Sequence, residues 1–321
     1  MKVVTILNRD GGTLRTTDLD WLQQLIRDEF SLHGHTVEIK VVAGAELPRT
    51  LREVADREDI DCLLVGGGDG TVSFAASLTA GTPIALAILP AGTMNLFARS
   101  LQIPMDLRRA VAALAGGRLA RVDHATANGA PFVHQLAVGL HARMVRFRER
   151  FHYGTRLGKI LATTRAVLLA IRRPPSFDVE LEVDGQVRRL RTPGVAISNN
   201  VYGDGHLPFA DDPQGGALGI YVCESHDPRS IARLTFDIAM GSWRRNPCLT
   251  VYESREVTLT YNGKRLHKRM IKDGEIENLD RVTRIRLEAG ALRVVVPADA
   301  TYLDRDQASG TSATGRFASA R

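Results

Sequence analysis

Apolar and polar residues follow two different patterns along this chain, and the first pattern covers residues 1–122. Short apolar runs alternate there with segments whose apolar residues recur at helical spacing. The runs predict strands at 2–8, 36–42, 62–67 and 83–90, and the segments between them predict helices at 17–34, 46–59, 70–81 and 105–117. Such alternation predicts a Rossmann-like α/β domain with a parallel sheet, in which ligands bind at the carboxyl ends of the strands.

The second pattern begins near Arg121 and consists of short strands of period two. Asn128-Gly129 and Asp184-Gly185 are dipeptides typical of two-residue hairpin turns. Strands are predicted within 121–139, 177–192, 194–200, 217–224, 256–275, 284–290 and 291–297. This pattern predicts an antiparallel β-sandwich.

Two domains follow from these patterns. Residues 1–122 form the α/β domain, to which the chain is expected to return near 285–298, and residues 123–284 form the β-rich domain. Residues 300–321 are small and polar, which predicts a disordered tail.

Composition narrows the class of protein. The chain has 321 residues, 44% of them hydrophobic, a formal charge of +6 and three widely spaced cysteines, which we interpret as buried thiols in a reducing compartment. No signal peptide and no apolar run long enough for a transmembrane helix is recognised, so a cytoplasmic location is expected. Only 6% of residues are aromatic and no zinc or helix-turn-helix signature occurs, which argues against nucleic-acid binding.

A glycine-rich stretch, "VGGGDGT", connects the predicted strand at 62–67 to the next helix. Its residues are Gly66, Gly67, Gly68, Asp69, Gly70 and Thr71. Free N–H groups and the helix dipole make such a turn an anion site, and glycines let a polyphosphate approach the backbone. The stretch matches neither Gly-x4-Gly-Lys-Ser/Thr nor Gly-x-Gly-x-x-Gly. Asp69 would repel phosphate without a cation between them, which points to a nucleotide with Mg²⁺; the alternative is a turn whose Asp caps the helix.

A second small-residue turn follows the strand at 83–90. In "ILPAGTMNLFARSL", Thr93 could bind a phosphate, and Asn95 could cap the next helix or hold the site together. Taken alone, the turn is as well explained by a capped helix start as by a ligand loop.

Together, "GGGDGT" and "PAGTMNLFAR" resemble the diacylglycerol kinase catalytic-domain family of soluble lipid kinases, which includes sphingoid-base, ceramide and bacterial lipid kinases. The resemblance continues through "AISNNVYGDGHLPFADDPQGGALGIYV" and "KDGE" and covers nearly all of residues 1–298. Phosphofructokinases and NAD kinases share the Gly-Gly-Asp-Gly element but lack the counterparts of "GTMNLFAR" and "SNNVYGDG".

The resemblance implies that ATP binds in a cleft between the two domains. Its phosphates would lie over Gly67–Thr71 and Thr93, and Mg²⁺ would be held with ATP near Asp69. The first turn would help to hold the nucleotide through Asn8, Arg9, Asp10, Gly11 and Gly12. Asp273 and Glu275 would be the carboxylates that deprotonate the lipid hydroxyl, a role that fits phosphoryl transfer.

This chain departs from the family pattern at several places. The first turn lacks the usual proline, and Leu96 stands where the family has a carboxylate, which bears on the accepted head group. Gly215 stands where bacterial members have a structural Mg²⁺ ligand, and Asp212 is a neighbouring carboxylate that such a site could use.

Residues 142–175 are rich in arginine and contain apolar residues throughout. They are interpreted either as a dock for an anionic membrane surface or as a solvated helix face. The sequence leaves both open, as it does a homodimer.

We therefore expect an ATP- and Mg²⁺-dependent kinase that phosphorylates a hydroxyl of a membrane lipid such as diacylglycerol. One alternative is another acceptor: phosphatidylglycerol, a sphingoid base or a soluble polyol. The other is a non-catalytic sensor of nucleotide or lipid.

Overall fold

The structure is a computed structural model that describes residues 1–140, 174–262 and 269–304. Its helices are α1 (Leu19–Leu32), α2 (Leu47–Ala55), α3 (Asp69–Thr79), α4 (Leu96–Ser100), α5 (Leu107–Ala115) and α6 (Pro228–Met240). Its strands are β1 (Lys2–Asn8), β2 (Thr36–Val42), β3 (Cys62–Gly67), β4 (Ala85–Pro90), β5 (Arg118–Ala127), β6 (Ala130–Phe132), β7 (Gln135–Gly139), β8 (Phe177–Val183), β9 (Gln186–Thr192), β10 (Gly194–Ser198), β11 (Leu218–Cys223), β12 (Leu249–Ser254), β13 (Glu256–Tyr261), β14 (Arg269–Lys272), β15 (Glu275–Asn278) and β16 (Val282–Val296).

The first sheet begins with four parallel strands in the order β2-β1-β3-β4. Every residue of β3 and β4 is buried, as expected for parallel strands covered on both faces by helices. Helix α1 contacts α5, and α2 contacts α3. The predicted α/β domain is therefore confirmed, and the carboxyl ends of β1, β3 and β4 lie at one edge of the sheet.

One long strand joins this parallel sheet to the antiparallel part of the molecule. β16 pairs with β4 in parallel at Val294 and with β13 and β5 in antiparallel register, so that one ten-stranded sheet results. The separate strands predicted at 284–290 and 291–297 are thus one strand. Its register shifts between Glu288 and Leu292, where Gly290 has a positive φ of 61°, so a bulge interrupts the alternation without ending the strand.

The second sheet is antiparallel, in the order β12-β11-β10-β7-β14-β15. Its apolar residues pack with those of β8, β13 and β16 to form a second core, as predicted for a sandwich. The predicted hairpin turns at Asn128-Gly129 and Asp184-Gly185 are also present, each with positive φ at both residues.

Two segments differ from expectation. Residues Thr301–Asp304 form a 3-10 helix, and Tyr302 is buried in the first core, so the predicted tail is wrong for these residues. Helix α6 was not predicted, although its start and stop signals are present: the Asp227 side chain accepts from the N–H of Ser230, Pro228 opens the helix and Gly241 ends it with φ 74°.

Several predictions concern segments that lie partly or wholly outside the residues that the structure describes. They include the basic segment, except for Pro174 and Pro175, and the tail from residue 305 onward. In the parts of the chain that the structure covers, no helix combines the length and apolarity needed to cross a bilayer. All three cysteines are free thiols, and Cys62 and Cys223 are buried.

His124 makes the stability of the fold sensitive to acid. It is buried on β5, opposite Glu288 of β16. Burial lowers the pKa of its imidazole below the ordinary value near 6.5, and the carboxylates of Glu288 and Asp123 oppose that shift. The unfolded chain therefore binds a proton more readily than the folded chain. The contribution of neutral His124 to the free energy of unfolding is fully present above about pH 6.5. It is lost as the pH falls through that value toward the pKa of His124 in the folded chain.

We expect the melting temperature to fall when the pH is lowered from about 7.5 to about 5.5, and His124→Gln to reduce that fall. His206→Gln, at an exposed histidine, is the control and should show the same fall in melting temperature as the unaltered chain. Equal pH dependence in His124→Gln and the unaltered chain would contradict the assignment.

Candidate active site

Three turns at the carboxyl ends of β1, β3 and β4 pack against one another through their backbones. Gly12 has φ 42°, and a Cβ there would lie 1.9 Å from the carbonyl oxygen of Ala91. A Cβ at Gly92 would lie 2.6 Å from Cα of Gly68, and the N–H of Thr13 donates to the oxygen of Ala91 at 2.8 Å. The predicted nucleotide contacts on or beside these turns are Asn8, Arg9, Asp10, Gly11, Gly12, Gly68, Asp69, Gly70, Thr71, Thr93 and Asn95.

The glycines of "VGGGDGT" have two different roles. Gly66 and Gly67 are buried inside β3. A Cβ at Gly66 would lie 2.7 Å from the side chain of Leu7, and one at Gly67 would lie 2.6 Å from the side chain of Thr71. These two glycines are required for packing behind the turn, whereas Gly70 is exposed at the start of α3, where an anion can approach the helix.

Asp69 is the first residue of α3 and connects two of the turns. Its carboxylate oxygens accept from the N–H groups of Asn95 at 3.0 Å and Leu96 at 2.6 Å. Asn95 has φ 51°, and its side-chain amide exchanges two hydrogen bonds with the backbone of Gly92. The carboxylate thus fixes the turn after β4 and keeps lone pairs for a further ligand.

The first turn is braced by its own side chains. Oδ1 of Asn8 accepts from the N–H of Asp10, and the Asp10 carboxylate accepts from the N–H of Gly44 at 2.8 Å. The N–H of Arg9 donates to the carbonyl oxygen of Val42. Asn8 and Asp10 therefore hold the turn against the end of β2.

Asp273 lies in the turn between β14 and β15, and its carboxylate is buried. Ser73 of α3 donates its hydroxyl to Oδ2 at 2.6 Å. Three consecutive backbone N–H groups, those of Val133, His134 and Gln135, donate to the two oxygens at 2.8, 2.9 and 2.9 Å. We call these three groups the amide cage. The sequence predicted Asp273 but not the cage, since its members are separated from Asp273 by 138 to 140 residues.

Burial raises the pKa of the Asp273 carboxyl above its ordinary value, and the hydrogen bonds from Ser73 and the amide cage oppose that shift. Glu275, the first residue of β15, directly follows this turn, and its Oε1 lies 3.3 Å from where a Cβ at Gly70 would stand. Asp273 and Glu275 thus face the start of α3 across the two domains, although the sequence predicted these two parts of the site separately.

Asn199 supports the amide cage and was not predicted as a site residue. Its side-chain amide donates to the carbonyl oxygens of Asp123 at 2.9 Å and Val133 at 3.3 Å. Its backbone N–H donates to the oxygen of His134 at 2.9 Å. The pair Asn199-Asn200 directly after an apolar strand was the sequence signal that could have identified it.

Asp123 joins the segments behind the site. Its buried carboxylate accepts from the side chain of Asn200 at 2.7 Å and from the N–H groups of Gly216 and Gly290 at 2.8 and 2.9 Å. The carboxylate of Asp212 accepts a hydrogen bond from the N–H of Gln214 at 2.9 Å. Across the described ranges, no three acidic, histidine or cysteine side chains meet in a way that could hold a metal ion, so a structural Mg²⁺ at Asp212 gains no support.

Gly12→Ala tests the packing of the turns. A left-handed residue other than glycine costs about 1–3 kcal/mol, and the contact with Ala91 adds a clash. Gly81→Ala is a matched control, because Gly81 also has a positive φ, 74°, but has open space around its Cβ position. We expect thermal melting to show a larger loss for Gly12→Ala, and calorimetry to show weaker ATP binding in that variant alone. Equal losses of stability with unchanged ATP binding would argue against the close contact.

Two family models together match most of the chain. Residues 2–127 match the diacylglycerol kinase catalytic domain. Residues 135–296 match the YegS C-terminal NAD kinase beta sandwich-like domain.

This chain is similar to other proteins over part of their length. An uncharacterised protein of Synechocystis is 28% identical over 278 residues, which are 81% of this chain and 62% of that protein. A diacylglycerol kinase of Staphylococcus carnosus is 30% identical over 133 residues, which are 41% of this chain and 43% of that protein. The matches therefore span less than two thirds of these relatives.

Solved structures from Bacillus anthracis share the fold. One, described as a candidate diacylglycerol kinase, has a TM-score of 0.75 at 23% identity and covers 94% of this chain and 96% of its own. A second, described as a diacylglycerol kinase, has a TM-score of 0.67 at 19% identity and covers 94% of this chain and 98% of its own. With both domains matched in sequence and the two-domain fold shared, the chain belongs to the diacylglycerol kinase catalytic-domain family, with a YegS-type C-terminal domain.

Proposed function

We propose that this protein is a lipid kinase that transfers the γ-phosphoryl group of ATP, with Mg²⁺, to a hydroxyl of a membrane lipid such as diacylglycerol. One observation carries the proposal: the buried carboxylate of Asp273 meets Ser73 in the first turns of α3, beside the turns that can hold phosphates. The family and the name of the Staphylococcus carnosus relative support the reaction class.

The residues present fit a bound nucleotide phosphate. Helix α3 has 11 residues and begins at the half-buried residues Gly68 and Asp69, with Gly70 exposed beside them, so its N-terminal N–H groups and dipole favour negative charge there. The backbone packing of Gly12 and Gly92 keeps the neighbouring turns close to this helix start. Asp69 would hold Mg²⁺ together with the phosphates, since this ion is commonly bound by one or two carboxylates plus substrate phosphates and water.

The acceptor would be activated by Asp273. Its Oδ2 already accepts a hydroxyl donor from Ser73, and burial raises its pKa in the direction that favours proton uptake. The carboxylate takes the hydroxyl proton as a new oxygen–phosphorus bond forms and the bond between the γ-phosphorus and the ADP oxygen breaks. The amide cage keeps the carboxylate in place during transfer, and Glu275 lies at the rim beside Gly70.

Transfer of labelled phosphate from ATP with Mg²⁺ to lipids in mixed micelles tests the proposal. The panel contains diacylglycerol, phosphatidylglycerol, sphingosine, ceramide, a soluble polyol and a sample without lipid. Labelling of one lipid that depends on Mg²⁺ would support the proposal and identify the acceptor. ATP binding without any labelled product would overturn it in favour of a sensor, and a labelled polyol alone would overturn the lipid acceptor.

A further inference from the structure

The outer face of α6 exposes apolar side chains that the fold leaves uncovered. Phe236 is 64% exposed and Met240 is 66% exposed, and they lie one helical turn apart. The opposite face buries Ile231 and Leu234 against a small apolar cluster. The helix is therefore held to the protein by one apolar face and exposes a second apolar face to solvent. Surface helices usually have polar residues on the outer face, so a second apolar face indicates a binding surface.

Arginines continue the same row. Arg229, Arg233, Phe236 and Met240 are spaced i, i+4, i+7 and i+11, so they follow one side of the helix. We call these four residues the outer stripe. All four are exposed, and within the described residues Arg233 forms no ion pair. The stripe is cationic toward the start of α6 and apolar toward its end.

Carboxylates near the stripe are already engaged. The carboxylate of Asp237 accepts from the side-chain amide of Asn246 at 2.6 Å. Asp204 pairs with Arg244 at 2.9 Å, and Asp227 caps the start of α6, where it also interacts with Arg229. Positive charge beside exposed Phe and Met fits an anionic lipid surface, in which apolar tips enter the acyl boundary and arginines contact phosphates.

The size of the patch favours a bilayer over a protein partner. A stable protein interface needs about 800 Å² on each side, whereas one aromatic side chain contributes about 150–250 Å². Phe236 and Met240, with Ile238 at 41% exposure, fall short of that area. Insertion of a few apolar side chains among cations is sufficient for reversible attachment to a membrane.

Contacts connect the end of α6 to the candidate active site. Trp243 donates from Nε1 to the carbonyl oxygen of Gly205 at 3.2 Å, and Arg244 donates to the carbonyl oxygen of Tyr202. The hydroxyl of Tyr202 donates to the side chain of Gln135 at 2.6 Å, and Gln135 is a member of the amide cage. The stripe and the cage therefore belong to one connected part of the β-rich domain.

We propose that the outer stripe of α6 is a docking surface for an anionic lipid bilayer. The proposal deepens the proposed function and rests on it in one respect, namely that the docked bilayer contains the acceptor lipid. Arg229 and Arg233 contact lipid phosphates, and Phe236 and Met240 enter the interface. Attachment through this stripe needs neither ATP nor catalysis.

Sedimentation of the full chain with vesicles, in the absence of ATP, tests the docking surface. Vesicles of phosphatidylglycerol and phosphatidylcholine are compared with vesicles of phosphatidylcholine alone. The double variant Phe236→Ser/Met240→Ser is expected to bind the anionic vesicles about tenfold more weakly, and Arg229→Gln/Arg233→Gln to lose the preference for anionic vesicles. Leu32→Ser is the matched control, because Leu32 is 80% exposed at the end of α1, and should bind like the unaltered chain.

Unchanged vesicle binding in the folded double variant, checked by circular dichroism, would overturn the proposal. A dimer in solution that the double variant abolishes would also overturn it, because a second copy would then cover the stripe. Kinase activity toward lipid in detergent micelles separates the two proposals. If the double variant loses vesicle binding but retains micelle activity, both proposals are supported. If the unaltered chain binds vesicles but shows no phosphoryl transfer, the proposed function is contradicted and the docking surface is not.

Discussion

Asp273→Asn is expected to lower the turnover of phosphoryl transfer by about 10²–10⁴-fold while ATP binding is retained. The amide that replaces the carboxylate cannot take a proton, and its NH₂ group would face N–H donors of the amide cage. That mismatch is expected to cost about 1–3 kcal/mol of folding stability. Activity is therefore measured well below the melting temperature, with ATP binding followed by calorimetry.

Asp184→Asn provides the control for this variant. Asp184 also occupies an Asp-Gly hairpin turn with positive φ, and its carboxylate also accepts a serine hydroxyl, that of Ser254, at 2.6 Å. It lies in the turn between β8 and β9, outside the proposed site, so its replacement should leave turnover unchanged. A folded Asp273→Asn protein with full turnover would show that Asp273 is not the base.

Asp69→Ala is expected to reduce transfer by at least about 10²-fold, because a ligand for the metal–phosphate group is lost. The same change leaves the N–H groups of Asn95 and Leu96 without their acceptor. These N–H groups stand at the start of α4, so the carboxylate acts as a cap for that helix. Loss of a helix cap costs about 0.5–2 kcal/mol, so a lower melting temperature is expected together with the loss of activity. Asp69→Asn retains one acceptor oxygen and should lose activity with a smaller change in stability.

Asp106→Ala separates the two effects. Asp106 caps α5 by accepting from the N–H of Arg109 at 3.0 Å, so its removal should cost similar stability. Its carboxylate takes no part in the proposed transfer, which should continue. If both variants lost stability equally and both kept full activity, Asp69 would be a structural residue only.

Local patterns explain why the α/β domain could be predicted in detail. The strand predicted at 2–8 agrees with β1, since its length and apolar character leave little choice within an alternation of strands and helices. Helix α6 was not predicted because it interrupts a series of short alternating strands, although its start and stop signals, Pro228 and Gly241, are present. β16 was divided because Gly290 breaks the period of two that marks a strand.

The candidate site was only partly predictable. The glycine stretch predicts that another group approaches the backbone closely. The sequence does not show that Gly66 and Gly67 are required by the side chains of Leu7 and Thr71, or that Gly70 is exposed at the start of α3. The amide cage is beyond sequence reasoning of this kind, because backbone N–H groups carry no residue signature. Contacts across 140 residues are fixed by the pairing of β7 with β14, which only tertiary structure reveals.

The position of β16 in the sheet determines when the α/β domain can finish folding during synthesis. β4 is buried along its whole length, yet Val294, which pairs beside Leu86, is synthesised 208 residues later. Until that strand leaves the ribosome, the α/β domain has an open, apolar sheet edge, which is a template for aggregation. A nascent chain therefore cannot complete the sheet of its first domain before nearly all of its second domain has been translated.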